Sequence, residues 1–243
     1  MVTTCVKSLS KIVNIKQNVS FHQKQILSCK ALIFIADMHL NFNQRIVELN
    51  LNQRSSLTFT DKLPASISRI KQIRNSELAE DFYNRKIEYA NLTQSFKLYD
   101  PCNPTPSLTI LDFGQTSQST WEENIEGHIR LRNLIHSQIN LNGYEDCETP
   151  TLVDKMVPFI VQLNRLRLVE EYVIIDKAPV SAAIFNFGLF FFHNAKKLIE
   201  HGYSPYFYLP HIETLHDAKL WNDIFNFAEE QLGLPKGIAQ AVV

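Results

Sequence analysis

The chain has 243 residues, 45% of them apolar, and a formal net charge of −1. That is enough apolar material for one large domain or two small ones, and a charge near zero argues against nucleic acid or an anionic membrane as partner. The longest apolar stretch, Ile184 to Phe192, is interrupted by Asn186 and falls far short of the roughly 20 residues that a spanning helix needs.

The N-terminus, MVTTCVKSLSKIVNIKQ, lacks a sustained apolar core and a small-residue cleavage site, so no secretory signal is expected. Cys5, Cys29, Cys102 and Cys147 are scattered without a CxxC pair. They read as reduced thiols of an intracellular protein, not as a disulfide frame or a zinc site.

Residues 1 to about 100 read as helical and irregular. In KQILSCKALIFIADMHLNF, the residues Ile26, Leu27, Ala31, Phe34, Ile35 and Met38 recur at helical spacing, and NQRIVELNLNQR continues the pattern. Pro64 breaks the chain. SELAEDFYNRKIEYANL then reads as a second helix, with Ser76 as its N-cap and Glu77 and Glu80 in the first turn. Ordinary helix packing accounts for all of this.

Pro101, Pro104 and Pro106 mark a boundary. Beyond it SLTILDF reads as a buried strand, TWEENIEGHIRLRNLIHSQI as an amphipathic helix, and PFIVQLNRL as a second strand. Pro179 suits the first turn of the next helix, on which Ile184, Phe187, Phe191, Ala195 and Leu198 form a stripe widened by Phe185, Leu189 and Phe192. Gly202 fits the left-handed position after its end. YFYL follows as a strand closed by Pro210, then a helix from about Leu215 to Leu232 stopped by Gly233 and Pro235, then the strand IAQAVV. A β-α-β-α-β-α-β order predicts parallel strands joined by helices, either an open sheet or part of a (β/α)8 barrel.

Pattern alone offers little specific chemistry. There is no GxGxxG, GK[ST], GxSxG or HExxH. In a parallel α/β sheet, catalytic groups sit at the C-terminal strand ends. That rule selects Asp112 after the first strand, Arg165 and Arg167 after the second, and His211 and Glu213 after the third. Each also has a structural reading. Asp112 can cap a turn, the arginines can pair with Glu170 or Glu171, and His211 can cap the next helix. His193, inside a helix, reads as structural.

The segment FGLFFFHNAKKLIEHGYSPYFYLPHIETLHDAKLWNDIFNFAEEQLGLPKG resembles the malate synthase family, with the order and spacing of its FFFHN, PYFYLPK and ARLWNDVF segments. Upstream, TWEENIEGHIRLRNLI resembles the family's W-x-N-x-I-x-G-Q-x-N-L-R run, and KQILSCKALIFIADMHLNFNQRIVELN more loosely resembles its N-terminal helices. The resemblance covers roughly residues 20 to 243. It implies an α/β fold: a partial (β/α)8 TIM barrel of about four strands (101–243), preceded by an N-terminal α-helical clasp domain (1–100). It further implies an acyltransferase that condenses acetyl-CoA with glyoxylate to give malate and CoA in the glyoxylate cycle.

In the family, Mg2+ held by a glutamate and an aspartate polarises glyoxylate, an aspartate takes a proton from the acetyl methyl, and an arginine stabilises the enolate oxygen. These roles suit a hard Lewis acid and fixed positive charge. Here the family's R-x-R-G-W-H stretch maps onto RLRLVEEYV. Deleting Gly-Trp-His preserves the motif and makes Arg165 the catalytic arginine, with Arg167 beside it; a gapless alignment places Gln162 and Asn164 there. The family's D-F-E-D-S is Asp112-Phe113-Gly114-Gln115-Thr116, which keeps the first acid and loses the other two. Its lysine after YFYLP is His211.

The chain stops at Val243, just before the glutamate of the family's ATVLIET. The expectation is therefore that no metal ligand set and no catalytic base are present, and that the chain is inactive alone. The rival expectation is a truncated, non-catalytic paralogue acting as an interaction protein. The resemblance also implies the small-molecule substrates glyoxylate and acetyl-CoA, no nucleic acid and no membrane. Self-association through an open half-barrel is expected, and by family a cytoplasmic or peroxisomal location, although no targeting signal is present.

Overall fold

The structure is a computed structural model that describes residues 12–52, 87–91, 108–113, 120–138 and 159–243. Its centre is a five-stranded, wholly parallel sheet of β2 (Ile87–Asn91), β3 (Leu108–Asp112), β4 (Phe159–Gln162), β7 (Tyr206–Tyr208) and β8 (Gln240–Val242), in that spatial order. Every residue of β3 and β4 is buried, as expected where helices cover a parallel sheet. Spatial order follows chain order without a reversal. A doubly wound sheet reverses direction at its switch point, so this progression is that of a (β/α) barrel wall.

β2 lies within SELAEDFYNRKIEYANL, where sequence periodicity predicted a helix. Its C-terminal part is instead a strand paired with β3; residues 76–86 lie outside the described residues. Ile87 and Tyr89 favour an extended chain once a neighbouring strand is available. The sheet therefore has five strands where about four were expected, and its first precedes the Pro101–Pro106 stretch.

Among the described residues there are four α-helices. α1 (Cys29–Asn52) belongs to the N-terminal part; α2 (Trp121–Gln138), α3 (Ala182–Glu200) and α4 (Leu215–Gln231) follow β3, β6 (Ala178–Ser181) and β7. α3 is buried nearly all round because sheet and helices enclose it. Towards the sheet, Phe187 packs edge-on against Phe207 at 5.1 Å and lies 5.2 Å from Phe225 of α4. On another side α1 approaches so closely that a Cβ on Gly188 would meet Ile35 Cγ1 at 2.6 Å and Met38 Cε at 2.8 Å. The aromatic run is thus the wedge between the sheet and its surrounding helices.

Both helix stops were legible in sequence. Gly202 (φ 80°) follows α3 and Gly233 (φ 64°) follows α4, each left-handed. Pro179 was not read correctly, since α3 begins at Ala182. Pro179 sits in β6 (Ala178–Ser181), the edge strand of an antiparallel ribbon β1-β5-β6 formed with β1 (Val13–Ile15) and β5 (Val169–Ile175). An edge strand tolerates proline because its outer N–H positions need no partner. Asp176 (φ 45°) and Lys177 (φ 70°) form the two-residue turn between β5 and β6.

Candidate active-site face

The C-terminal ends of the parallel strands are aligned by register. Asn91 pairs with Asp112, Asp112 with Gln162, Gln162 with Tyr208, and Tyr208 with Val242. Side chains alternate along a strand. Phe207 points at α3 and α4, so Tyr208 points to the opposite face, and its register partners Gln162 and Asp112 share that face. Asp112 and Gln162 are both buried. The row therefore brings together the Asp112 carboxylate, the Gln162 amide and the Tyr208 phenol on the side of the sheet away from the helices.

The predicted site residues take different places. Asp112 is the carboxylate of the row. Arg165 lies beyond the end of β4 and is exposed; its carbonyl accepts from the Leu168 amide at 3.0 Å. Gln162 and Asn164, the two residues that a gapless alignment sets at the family's R-x-R, are the buried ones. Arg167 does not reach Glu170 or Glu171; its Nη2 lies 3.9 Å from Asp217 Oδ1. Asp217 accepts from the Thr214 amide and hydroxyl while Thr214 Oγ1 caps the Asp217 amide, a reciprocal box that starts α4. Thr214 therefore caps α4. His211 is exposed at φ 60°, an uncommon conformation for a non-glycine residue. Glu213 is exposed as well.

His193 is bonded as a structural residue: its Nε2 meets the Ile26 carbonyl at 2.7 Å and ties the N-terminal segment to α3.

Two buried polar assemblies escaped the sequence reading. His128 of α2 bonds through Nε2 to Asn186 Oδ1 at 3.0 Å, and Asn186 Nδ2 donates to Asn164 Oδ1 at 2.5 Å. Phe113 stacks on the imidazole at 4.2 Å. Burial drives the His128 pKa down to about 3, more than its bond to Asn186 raises it, so the ring is neutral at physiological pH. The signal in the sequence was Asn186 itself, a lone amide inside an apolar run. The second assembly is Glu229, fully buried in α4, which accepts from the Gly237 amide at 2.9 Å and the Ala239 amide at 3.0 Å and so delivers the chain into β8. Nothing local marks that role.

Among the described residues no group of three or more His, Cys, Asp or Glu side chains is placed to hold a metal ion. No described helix is long and apolar enough to cross a membrane.

A monotonic parallel sheet with its polar row at the C-terminal strand ends is the wall of a (β/α) barrel. Comparison with known proteins shows which barrel proteins it resembles. The profile of the family described as "Malate synthase, TIM barrel domain" matches residues 159–243. The chain is 32% identical over 237 residues to a bifunctional glyoxylate cycle protein of Caenorhabditis elegans, covering 93% of this chain and 24% of that protein. It is 32% identical over 237 residues to the glyoxysomal malate synthase of Candida tropicalis, covering 90% and 42%. Against malate synthase A of Escherichia coli it is 25% identical over 229 residues, covering 91% and 43%. Over this shared region the chain is similar to malate synthases, and it spans less than half the length of these relatives.

Proposed function

We propose that this chain is the N-terminal clasp and first barrel strands of a malate synthase-type acyltransferase, the class that joins acetyl-CoA to glyoxylate and releases malate and CoA. The similarity to malate synthases over 90% and 91% of its length supports this reading. In this assignment residues 1–100 serve as the clasp, which also supplies β2, and residues 101–243 supply the remainder of the barrel wall. Asp112 supports the site from the sheet. The exposed Arg165 is the cation that would face a developing enolate oxygen, with Arg167 held beside it by Asp217 and His211 at the exit of β7.

The residues described here do not fit a Mg2+ cage. Asp112 is a single carboxylate, and Gly114 and Gln115 stand where the family carries acids. The chain alone is therefore assigned no turnover. With acetyl-CoA, glyoxylate and Mg2+, the purified 243-residue chain should release no CoA thiol. A robust signal abolished by EDTA would overturn that assignment.

One observation favours a second reading. If Gln162 and Asn164 occupy the R-x-R positions, as their burial and the exposure of Arg165 suit, two neutral amides stand where the family's chemistry needs fixed positive charge. The chain would then be a non-catalytic interaction protein of the same fold. Restoring the motif separates the two. If Gln162→Arg with Asn164→Arg creates glyoxylate binding by calorimetry and Arg165→Ala changes nothing, the second reading holds. If Arg165→Ala abolishes glyoxylate binding in the unmodified chain, the first does.

Self-association through the open side of the sheet accompanies either reading, because β2 and β8 are each paired on one side among the described residues and unpaired strand edges associate. A monodisperse monomer in light scattering would refute it. A peroxisomal or cytoplasmic location completes the reading and is checked by imaging a tagged chain.

A further inference from the structure

The helix side of the barrel wall carries a cluster that the active-site face does not explain. α2 and α3 run antiparallel to the strands, so their C-terminal halves lie towards the strands' N-terminal ends, away from Asp112 and Gln162. There α2 presents Arg132 and His136 four residues apart, and α3 presents His193 and Lys197 four residues apart. Residues at that spacing lie on one helical face. The two faces meet, since His136 Nε2 bonds to the His193 carbonyl at 3.2 Å. All four side chains are half-buried.

Both imidazoles spend Nε2 on a backbone carbonyl, His136 on His193 and His193 on Ile26. A carbonyl accepts, so each Nε2 carries the proton and each Nδ1 is left over. Burial and the neighbouring cations lower both pKa values: Arg132 and Lys197 act on His136, and Arg132 and His136 act on His193. α1, which also packs on α3, carries Asp37 and Glu48 together with Lys30, His39 and Arg45. On α2, α3 and the N-terminal turn the acids lie elsewhere. Glu122 and Glu123 are in the first turn of α2, Glu126 is 3.5 Å from His22, and Glu200 ends α3. The other cations of these elements are Lys24 in the N-terminal turn Gln23–Gln25, Arg130 on α2 and Lys196 on α3, and the buried His128 also feels His193.

We propose that Arg132, His136, His193 and Lys197 form a binding site for a small free oxyanion of the sulfate or phosphate class at the α2–α3 seam, and that the anion binds together with a proton. Two fixed cations supply charge-assisted hydrogen bonds. An anion beside the imidazoles favours their charged form, and on protonation the spare Nδ1 of each ring becomes a donor. The site is remote from the strand ends, so it stands or falls independently of the proposed reaction.

Sulfate is the test ligand, because its own charge stays constant where histidine titrates. In NMR titrations of the full chain, saturable shifts are expected at the His136 and His193 rings. Affinity should rise as the pH falls from about 7.5 to about 5.5, across the ordinary histidine range. Arg132→Gln and Lys197→Gln should each weaken binding roughly tenfold, the loss of one charged hydrogen bond, with circular dichroism showing that both variants fold. Lys219→Gln, at an exposed position of α4, should leave it unchanged. Non-saturable shifts, or equal weakening by all three substitutions, would show general salt screening and overturn the site. Affinity independent of pH would overturn the proton linkage.

Discussion

The two faces of the parallel sheet near Phe207 and Tyr208 are built on opposite principles. On the helix side Phe207 meets Phe187, Phe190, Phe191 and Phe225 with ring centroids between 5.1 and 6.2 Å, a dry cluster held by area and offset ring geometry. On the other side, one residue along, Tyr208 stands in register with Gln162 and Asp112. The first face holds the fold whatever the chemistry. The second is polar at a depth where unpaired groups are costly, and Asp112 of the proposed site lies on it. Alternation along a three-residue strand is enough to separate the two roles.

The largest expected effect lies on the dry face. Phe187→Ala removes the ring shared by α3, β7 and α4 and should cost about 3–5 kcal/mol, a large part of the stability of a typical domain. Chemical denaturation checks it. A loss below about 1 kcal/mol would mean that the wedge repacks freely and that the contrast between the faces is weaker than drawn.

Next is the buried carboxylate that delivers β8. Glu229→Gln keeps one acceptor for the Gly237 and Ala239 amides and loses the other, at about 1.5–3 kcal/mol for a charged hydrogen bond. Hydrogen exchange should show faster exchange at those two amides, with the aromatic wedge still protected.

Gly188→Ala tests how tightly α1 seats on α3. Alanine gains about 1 kcal/mol of helix propensity, but its Cβ would overlap Ile35 and Met38, and overpacking costs about 1–3 kcal/mol. A net loss is expected in the urea midpoint; a net gain would show that the α1 seat is loose.

Acid titration sharpens the polar side. The folded pKa of His128, about 3, lies below its ordinary value of 6.5. The unfolded chain therefore binds the extra proton first, and stability falls as the pH drops below about 6.5 and continues to fall towards about 3. Burial lowers His39, His136 and His193 in the same direction. His128→Gln should flatten part of that slope; an unchanged slope would assign it to the other three.

The smallest effect belongs to the surface. Arg45 and Asp223 pair at 2.7 Å, with their side chains 40% and 33% exposed, so Arg45→Gln should cost less than about 1 kcal/mol.

Much of this was written locally. The three- and four-residue recurrence of Ile184, Phe187, Phe191, Ala195 and Leu198 fixed α3. Gly202 and Gly233 fixed two helix ends, and the strand-helix alternation after residue 106 fixed the parallel sheet, because periodicity and φ > 0 positions are properties of short segments. The FFFHN and PYFYLP segments carried the resemblance to malate synthases. What tertiary structure alone decided is non-local. Ile87–Asn91 became a strand because β3 offered it hydrogen-bonding partners. Pro179 fell in an edge strand because β5 turned back at Asp176 and Lys177. Asn164, Asn186 and His128, far apart in sequence, became one buried relay. Glu229 became a clamp for β8 only once the turn after α4 returned Gly237 and Ala239 to it. The burial of Gln162 and Asn164 and the exposure of Arg165 were likewise set by where β4 ends, since register with β3 and β7, and not the motif itself, decides which side chain faces inward.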